Sequence, residues 1–272
     1  MAFSKPIWHH HFFRKGSFLK KNNEKKIGLA LGGGAVLGAA HVGVLRAVEE
    51  FGVQIDCIAG TSIGAFVAAL WAFGKKADDI EEIARDLNWL DISALSLSKF
   101  GLLSNKKLGD RIREVVGERT FSHSRIPLAM VATDIANGDR VVLQKGDVAT
   151  AVMASTCIPG VFVPVEIGGR LLVDGFIVEN VPVTAVQELG ARRVIAVDLN
   201  AVHTTKEPLN IVEILLHTFN FALRSATQLL TQEADLLIAP DLSEFNLVEI
   251  KQVPELIEKG YQQAKSQLRK MV

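Results

Sequence analysis

A chain of 272 residues is long enough for one large α/β domain or two small ones, and with 49% hydrophobic residues it can bury a sizeable core, which excludes general disorder. Its 30 Lys and Arg cancel its 30 Asp and Glu, so nucleic acid is not an expected partner. Two cysteines, Cys57 and Cys157, exclude a disulfide scaffold at this size and point to a reducing compartment.

The charge is unevenly spread. Residues 1–26 hold seven Lys or Arg against one acid, Glu24, which leaves 23 basic and 29 acidic residues in the remainder. Residues 1–25 read as a basic, flexible arm that mixes cations with Trp8, Phe12, Phe13 and Phe18 and contains His9, His10 and His11. Two uses are open: a solvated tail, or an arm drawn to anionic headgroups with its aromatics at the interface. No apolar run follows the basic residues, so a secretory signal is not expected. The apolar stretch 63–73 is too short to cross a bilayer. A cytoplasmic protein is expected, with peripheral contact at the inner membrane surface through the arm.

Beyond the arm, Ile27–Leu31 is an apolar strand closed by Gly32, Gly33 and Gly34. A helix over 38–51 follows, then a strand over 55–60 and a buried helix over 63–73. Residues 78–87 form an amphipathic helix, 91–105 are loop-rich, and 108–116 are helical. Strands are expected at 127–134 and 140–144, a short helix at 149–155, and a strand at Arg170–Asp174. A helix at 183–189, a strand at 194–199, a long apolar-rich helix at 211–230, a strand at 236–240 and a polar amphipathic helix at 253–270 complete the chain. Strands alternate with helices, so the class is α/β with a largely parallel sheet. With no repeat and no composition shift after residue 26, residues 26–272 are expected to form one domain.

Gly60-Thr61-Ser62-Ile63-Gly64 lies between an apolar strand and an apolar helix, the context that gives a G-x-S-x-G pentapeptide meaning. A sharp turn there lifts the serine hydroxyl clear of the sheet at a helix N-terminus, and glycines two residues either side avoid collisions. The bland alternative is Ser62 as a simple helix cap. The loop Gly32–Gly38 also follows a strand and opens a helix, so its N–H groups can bind an anion. One use is an oxyanion hole. Another is a dinucleotide fingerprint with Glu49 or Glu50 as the ribose acid, which the glycine spacing fits poorly. Asp174, at a strand end before Gly175, is the candidate base. Asp134 and Asp198 are strand-end acids read as structural. Residue patterns alone permit a Ser62–Asp174 dyad or a triad completed by His203 or His217.

The chain resembles the bacterial patatin-like phospholipases. The resemblance runs through 29–45 (LALGGGAVLGAAHVGVL), 58–64 (IAGTSIG), 131–134 (VATD), 154–164 (ASTCIPGVFVP), 172–182 (LVDGFIVENVP), 190–199 (GARRVIAVDL) and 234–242 (ADLLIAPDL), and covers nearly all of residues 26–268. It implies a three-layer α/β fold with a mostly parallel central sheet flanked by helices. It implies a catalytic Ser62–Asp174 dyad and an oxyanion hole at Gly33, Gly34 and Ala35, with Gly38, Gly60, Gly64 and Gly175 as supporting positions. No metal or cofactor is implied. The substrate class is a lysophospholipid, phospholipid or other fatty-acyl ester. Two departures stand out: Ala35 replaces a glycine and Leu37 a basic residue of the family pattern, and Phe176 follows Asp174-Gly175 where a small residue is usual. They motivate a second reading, a weakly active or inactive lipid- or protein-binding module. A nucleotide-binding α/β protein is the third. Residues 211–230 are read as a core helix, with a part-exposed lid or acyl groove as the alternative; the loop from Leu95 to Leu103, with Phe100, is a second lid candidate.

Overall fold

The structure, a computed structural model, describes residues 26–86, 94–98, 101–202, 207–208 and 210–270. The arm, Phe100 and His203 lie outside the described residues. Ten strands are present among them: β1 (Ile27–Leu31), β2 (Cys57–Thr61), β3 (Ala94–Ser98), β4 (Gly101–Ser104), β5 (Leu128–Asp134), β6 (Arg140–Leu143), β7 (Val165–Ile167), β8 (Arg170–Asp174), β9 (Arg193–Val197) and β10 (Leu236–Ile238). The helices are α1 (Ala39–Glu50), α2 (Ile63–Ala72), α3 (Ala77–Asp86), α4 (Lys106–Val116), α5 (Val148–Ser155), α6 (Phe176–Glu179), α7 (Val183–Glu188), α8 (Ile211–Thr231) and α9 (Val253–Arg269).

Eight strands make one sheet in the order β10-β9-β1-β2-β5-β8-β7, with β6 also on β5. The run from β10 to β5 is parallel, and β6, β7 and β8 are antiparallel additions. Strands buried on both faces read as continuous apolar runs rather than alternating ones, and β1, β2 and β5 do so. Residue size still alternates. Leu29, Leu31, Ile58, Met130, Ile195 and Val197 pack in one core with residues of α1, α2 and α9. Ala30, Ala59, Ala129 and Ala196 face the other way, in a core with Val183, Ala185 and Val186 of α7. Small side chains on that face let α7 approach the sheet closely, while bulky ones carry most of the burial energy on the first face, about 1.5–3 kcal/mol per buried aliphatic. This is the three-layer arrangement expected.

Three elements depart from the expectation. The loop-rich stretch 91–105 contains the β3–β4 hairpin. Leu103 anchors its end: its N–H donates to the Val161 carbonyl at 3.0 Å, and its carbonyl accepts from Val163 N–H at 2.9 Å. A short strand, β7, precedes β8 across a two-residue turn at Gly168 and Gly169, both at positive φ. The third is α8, which is not a core helix: Ile211, Ile214, Phe221 and Leu229 are exposed. No helix among the described residues is long and apolar enough to cross a membrane.

Candidate functional site

Strand β5 acts as the ruler of the site. Thr61, the last residue of β2, pairs with Val131, and Asp174, the last residue of β8, pairs with Ala132. Two strand ends remote in sequence are thereby set on consecutive positions of one strand, and the Ser62 hydroxyl donates to Oδ2 of Asp174, 112 residues on, at 2.6 Å. The backbone of Ser62 is at φ +55°, ψ −127°, outside the regions L-residues favour, at a cost of about 1–3 kcal/mol. Its side chain makes no capping bond to α2, so the simple-cap reading of Ser62 does not hold.

Asp174 is fully buried, and its second oxygen accepts the Phe176 N–H at 3.0 Å. Burial pushes its carboxyl up to about 7, against the pull of the Ser62 and Phe176 hydrogen bonds. No histidine among the described residues hydrogen-bonds to Asp174. His217 lies on α8 with its ring 6.1 Å from that of Phe221.

The supporting glycines sit where a Cβ has no room. At Gly60 it would lie 2.3 Å from the Gly64 carbonyl oxygen, and at Gly64 it would lie 2.2 Å from that of Leu31. At Gly175 it would meet the Val131 carbonyl oxygen at 2.2 Å, and at Gly38 the Ile63 side chain at 2.3 Å. The elbow is also braced by side chains the sequence did not single out. Ser155 Oγ accepts the Ser62 N–H at 3.0 Å while donating to the Val131 carbonyl at 2.7 Å. Thr61 Oγ1 donates to the Glu179 carbonyl at 2.9 Å, and the buried Glu179 carboxylate is held by Arg140 and by Thr184.

In the glycine-rich loop, the Gly33 N–H is committed: it donates to the Asn180 carbonyl at 3.2 Å. Its own carbonyl accepts from Asn200 Nδ2 at 2.8 Å. His41 Nε2 donates to the Gly32 carbonyl at 2.8 Å, and burial lowers that imidazole to about 4, so it is neutral near pH 7. The next two amides, of Gly34 and Ala35, have no hydrogen-bond partner among the described residues. Ala35 is at φ +50°, where a glycine is unstrained. Leu37 is buried, its N–H donating to the Gly34 carbonyl at 3.0 Å. Glu49 and Glu50, the ribose acids of the nucleotide reading, end a 12-residue helix that starts at this loop. They are therefore about 18 Å from it, which removes the acid that reading needs.

Three cavities meet around these atoms. The one at the hydroxyl is small, lined by Gly33, Gly34, Ala35, Ser62 and Asp174 and closed by Ile158, Phe176, Leu216 and Leu247. A small cavity lined by apolar side chains shares Ala35 and runs between Val36, Val42, Ile63, Phe66 and Ile80. A polar cavity shares Phe176 and Asn180 on another side. Sequence reasoning had no access to Ser155, His41, Asn180 or Asn200 as supports, because their partners are main-chain carbonyls and amides delivered by the topology. His41, Ser155 and Asn180 lie within the quoted motifs and Asn200 directly follows one, which was the available signal.

The model of the patatin-like phospholipases matches residues 29–186. An uncharacterised NTE family protein of Mycobacterium bovis is 38% identical over 185 residues, 67% of this chain and 51% of that protein. The neuropathy target esterase of Drosophila melanogaster is 31% identical over 206 residues, 73% of this chain but 14% of the fly protein. The chain thus spans at most about half the length of these relatives. Among solved structures, VipD from Legionella pneumophila has a TM-score of 0.61 at 16% identity, covering 91% of this chain and 67% of VipD. The type III effector ExoU of Pseudomonas aeruginosa has a TM-score of 0.55 at 14% identity, covering 91% of this chain and 53% of ExoU. These two likenesses bear on the fold. With its elbow, its strand-end aspartate and its glycine-rich loop in family order, the chain belongs to the patatin-like phospholipases.

Proposed function

We propose that the chain is a serine acyl-ester hydrolase of lipid esters, with Ser62 as nucleophile and Asp174 as base. The observation that carries this is the 2.6 Å bond from a strained serine to a buried carboxylate, beside two unengaged backbone amides. Asp174 takes the hydroxyl proton as Oγ attacks the acyl carbonyl. The resulting oxyanion is held by the Gly34 and Ala35 N–H groups, and Gly33 positions them through Asn180 and Asn200 rather than donating itself. Protonated Asp174 returns its proton to the leaving alcohol. It then deprotonates water, whose attack releases the fatty acid and restores Ser62.

A carboxylate held near 7 is a stronger base than an ordinary aspartate, which suits a dyad without histidine. The apolar cavity beside Ala35 is the natural place for an acyl chain. The lipid- or protein-binding alternative rests on Leu37 and Phe176. Phe176 still supplies its N–H to Asp174, and buried Leu37 disturbs neither amide, so the hydrolase reading is the better supported. The test is turnover of lysophosphatidylcholine and of a p-nitrophenyl acyl ester. Ser62→Ala and Asp174→Asn are each expected to lower kcat by about 10³-fold or more with the fold intact. Full turnover in either variant contradicts the dyad.

A further inference from the structure

The two loop amides without a partner among the described residues, those of Gly34 and Ala35, belong to peptide units whose carbonyl ends are occupied. In a trans peptide the N–H and the C=O point in opposite directions, so a donor on the carbonyl fixes where the N–H aims. The Gly34 N–H shares its peptide with the Gly33 carbonyl, which accepts from Asn200 Nδ2 at 2.8 Å. The Ala35 N–H shares its peptide with the Gly34 carbonyl, which accepts from the Leu37 N–H at 3.0 Å. The second of these pins is main chain within the loop itself. The first is a side chain from the segment after β9, 167 residues on in sequence. A carbonyl only accepts, so the Asn200 atom facing it is the amide nitrogen.

The fold prepares this contact. Strands β1 and β9 pair in parallel with Leu31 beside Val197, and the Gly32 N–H extends the ladder to the Val197 carbonyl at 3.1 Å. Both segments then leave the sheet side by side, which brings residue 200 to residue 33. Asn200 is itself held: its N–H donates to Asp198 Oδ1 at 2.9 Å, a side-chain turn on the end of β9. Leu199 packs against the far end of the same peptide, since a Cβ on Gly34 would lie 3.0 Å from its Cδ1. On the opposite side, a Cβ on Gly33 would lie 3.2 Å from Ser62 Cβ. The 33–34 peptide is therefore wedged between the elbow and the segment after β9. It is also flanked by two glycines, the residues that least resist rotation of a peptide plane. Turned over, it would present the Gly33 carbonyl oxygen to the proposed oxyanion and exchange attraction for repulsion.

We infer that Asn200 is a positioning residue for the oxyanion hole, holding the 33–34 peptide against a flip and with its N–H toward the Ser62 site. Asn200 does not line the cavity at Ser62; it acts through the Gly34 N–H. Its hydrogen bond also polarises the Gly33 carbonyl, which makes the N–H of the same peptide a stronger donor. That donor matters most when negative charge develops on the acyl oxygen, so its loss falls on kcat rather than on binding of the ester. The pin at Ala35 is main chain and beyond the reach of substitution, which leaves Asn200 as the one that can be removed. The inference rests on the hydrolase reading and adds to it a residue outside the elbow, the aspartate and the glycine-rich loop.

The test compares the full-length wild type with Asn200→Ala and Asn200→Leu, the second keeping the bulk of the side chain without its donor. One readout is turnover of a p-nitrophenyl acyl ester. The other is inhibition by an alkyl trifluoromethyl ketone: the Ser62 oxygen bonds the ketone carbon, its proton passes to Asp174, and the carbonyl electron pair becomes a hemiketal oxyanion in the hole. In both variants kcat is expected to fall about tenfold or more with KM within about twofold, and ketone affinity to weaken by the same factor as kcat/KM. The pH midpoint of turnover, which belongs to Asp174, should not move. If circular dichroism shows one variant misfolded, the other carries the comparison. Unchanged kcat and ketone affinity in a folded variant, or a loss confined to KM, overturns the role of Asn200 and leaves the hydrolase reading standing. A wild type that neither turns over the ester nor binds the ketone overturns the hydrolase reading itself.

Discussion

Ser62 and Ala35 are the two non-glycine residues at positive φ among the described residues, and they line the same cavity. At Ser62 the strain presents the hydroxyl and is maintained by bonds to Asp174 and Ser155. At Ala35 no side-chain function offsets it. Relief of a left-handed alanine is worth about 1–2 kcal/mol, and the extra freedom of glycine in the unfolded chain returns about 0.4–1 kcal/mol. Ala35→Gly should therefore stabilise the protein by about 0.5–1 kcal/mol, raising Tm by about 1–4 °C in a calorimetric scan. A lower Tm would show that Ala35 is held by packing rather than tolerated. The second residue-scale consequence concerns pH. As the proposed base, Asp174 must be ionised, and burial holds its carboxyl up at about 7. Ester turnover, as kcat/KM, should rise with pH through a midpoint of about 7 and be low at pH 5. A flat profile from pH 5 to 8 would remove Asp174 from the role of base.

At the scale of elements, the strands of the parallel sheet and the helices between them are legible in the sequence because each is an apolar run bounded by glycine or charge. The Ser62–Asp174 pair is legible for the same reason: both residues sit at the ends of such strands. What brings them together is not local. Their pairing with neighbouring positions of β5, and the bracing by Ser155, depend on contacts across 42 to 93 residues that no periodicity encodes. The β3–β4 hairpin was hidden by its short, serine-interrupted strands. Helix α8 is the instructive case. Its apolar residues exceed one face, which reads as a core helix, yet the face turned toward the two cavities and the Phe176 ring mixes Leu216, Phe219 and Leu223 with Arg224, Thr227 and Gln228. Ile211, Ile214, Phe221 and Leu229 recur at helical spacing on the exposed side. An apolar stripe facing outward beside the proposed lipid-ester site fits an interfacial lid. Hydrogen exchange with vesicles of phosphatidylcholine and phosphatidylglycerol should show α8 gaining protection while α1 is unchanged. Equal protection of α8 with and without vesicles would count against that role.

At the scale of the whole molecule, the sheet divides the labour. Its carboxyl edge gathers the loop after β1, the elbow after β2 and the segment after β9: Asn200 donates to the Gly33 carbonyl, and Gly33 and Thr61 donate to the Asn180 and Glu179 carbonyls that follow β8. A cavity lined by apolar side chains lies on one side of Ser62, which suits the fatty chain of an ester. The hydrolase reading and the role of Asn200 rest on a single premise, that Ser62 is an activated nucleophile. Labelling by a fluorophosphonate probe tests it most directly, with wild type beside Ser62→Ala and Asp174→Asn. The account predicts rapid labelling of the wild type, none of Ser62→Ala, and strongly slowed labelling of Asp174→Asn. A folded wild-type protein that takes up no probe, or a Ser62→Ala variant that labels equally, would contradict it.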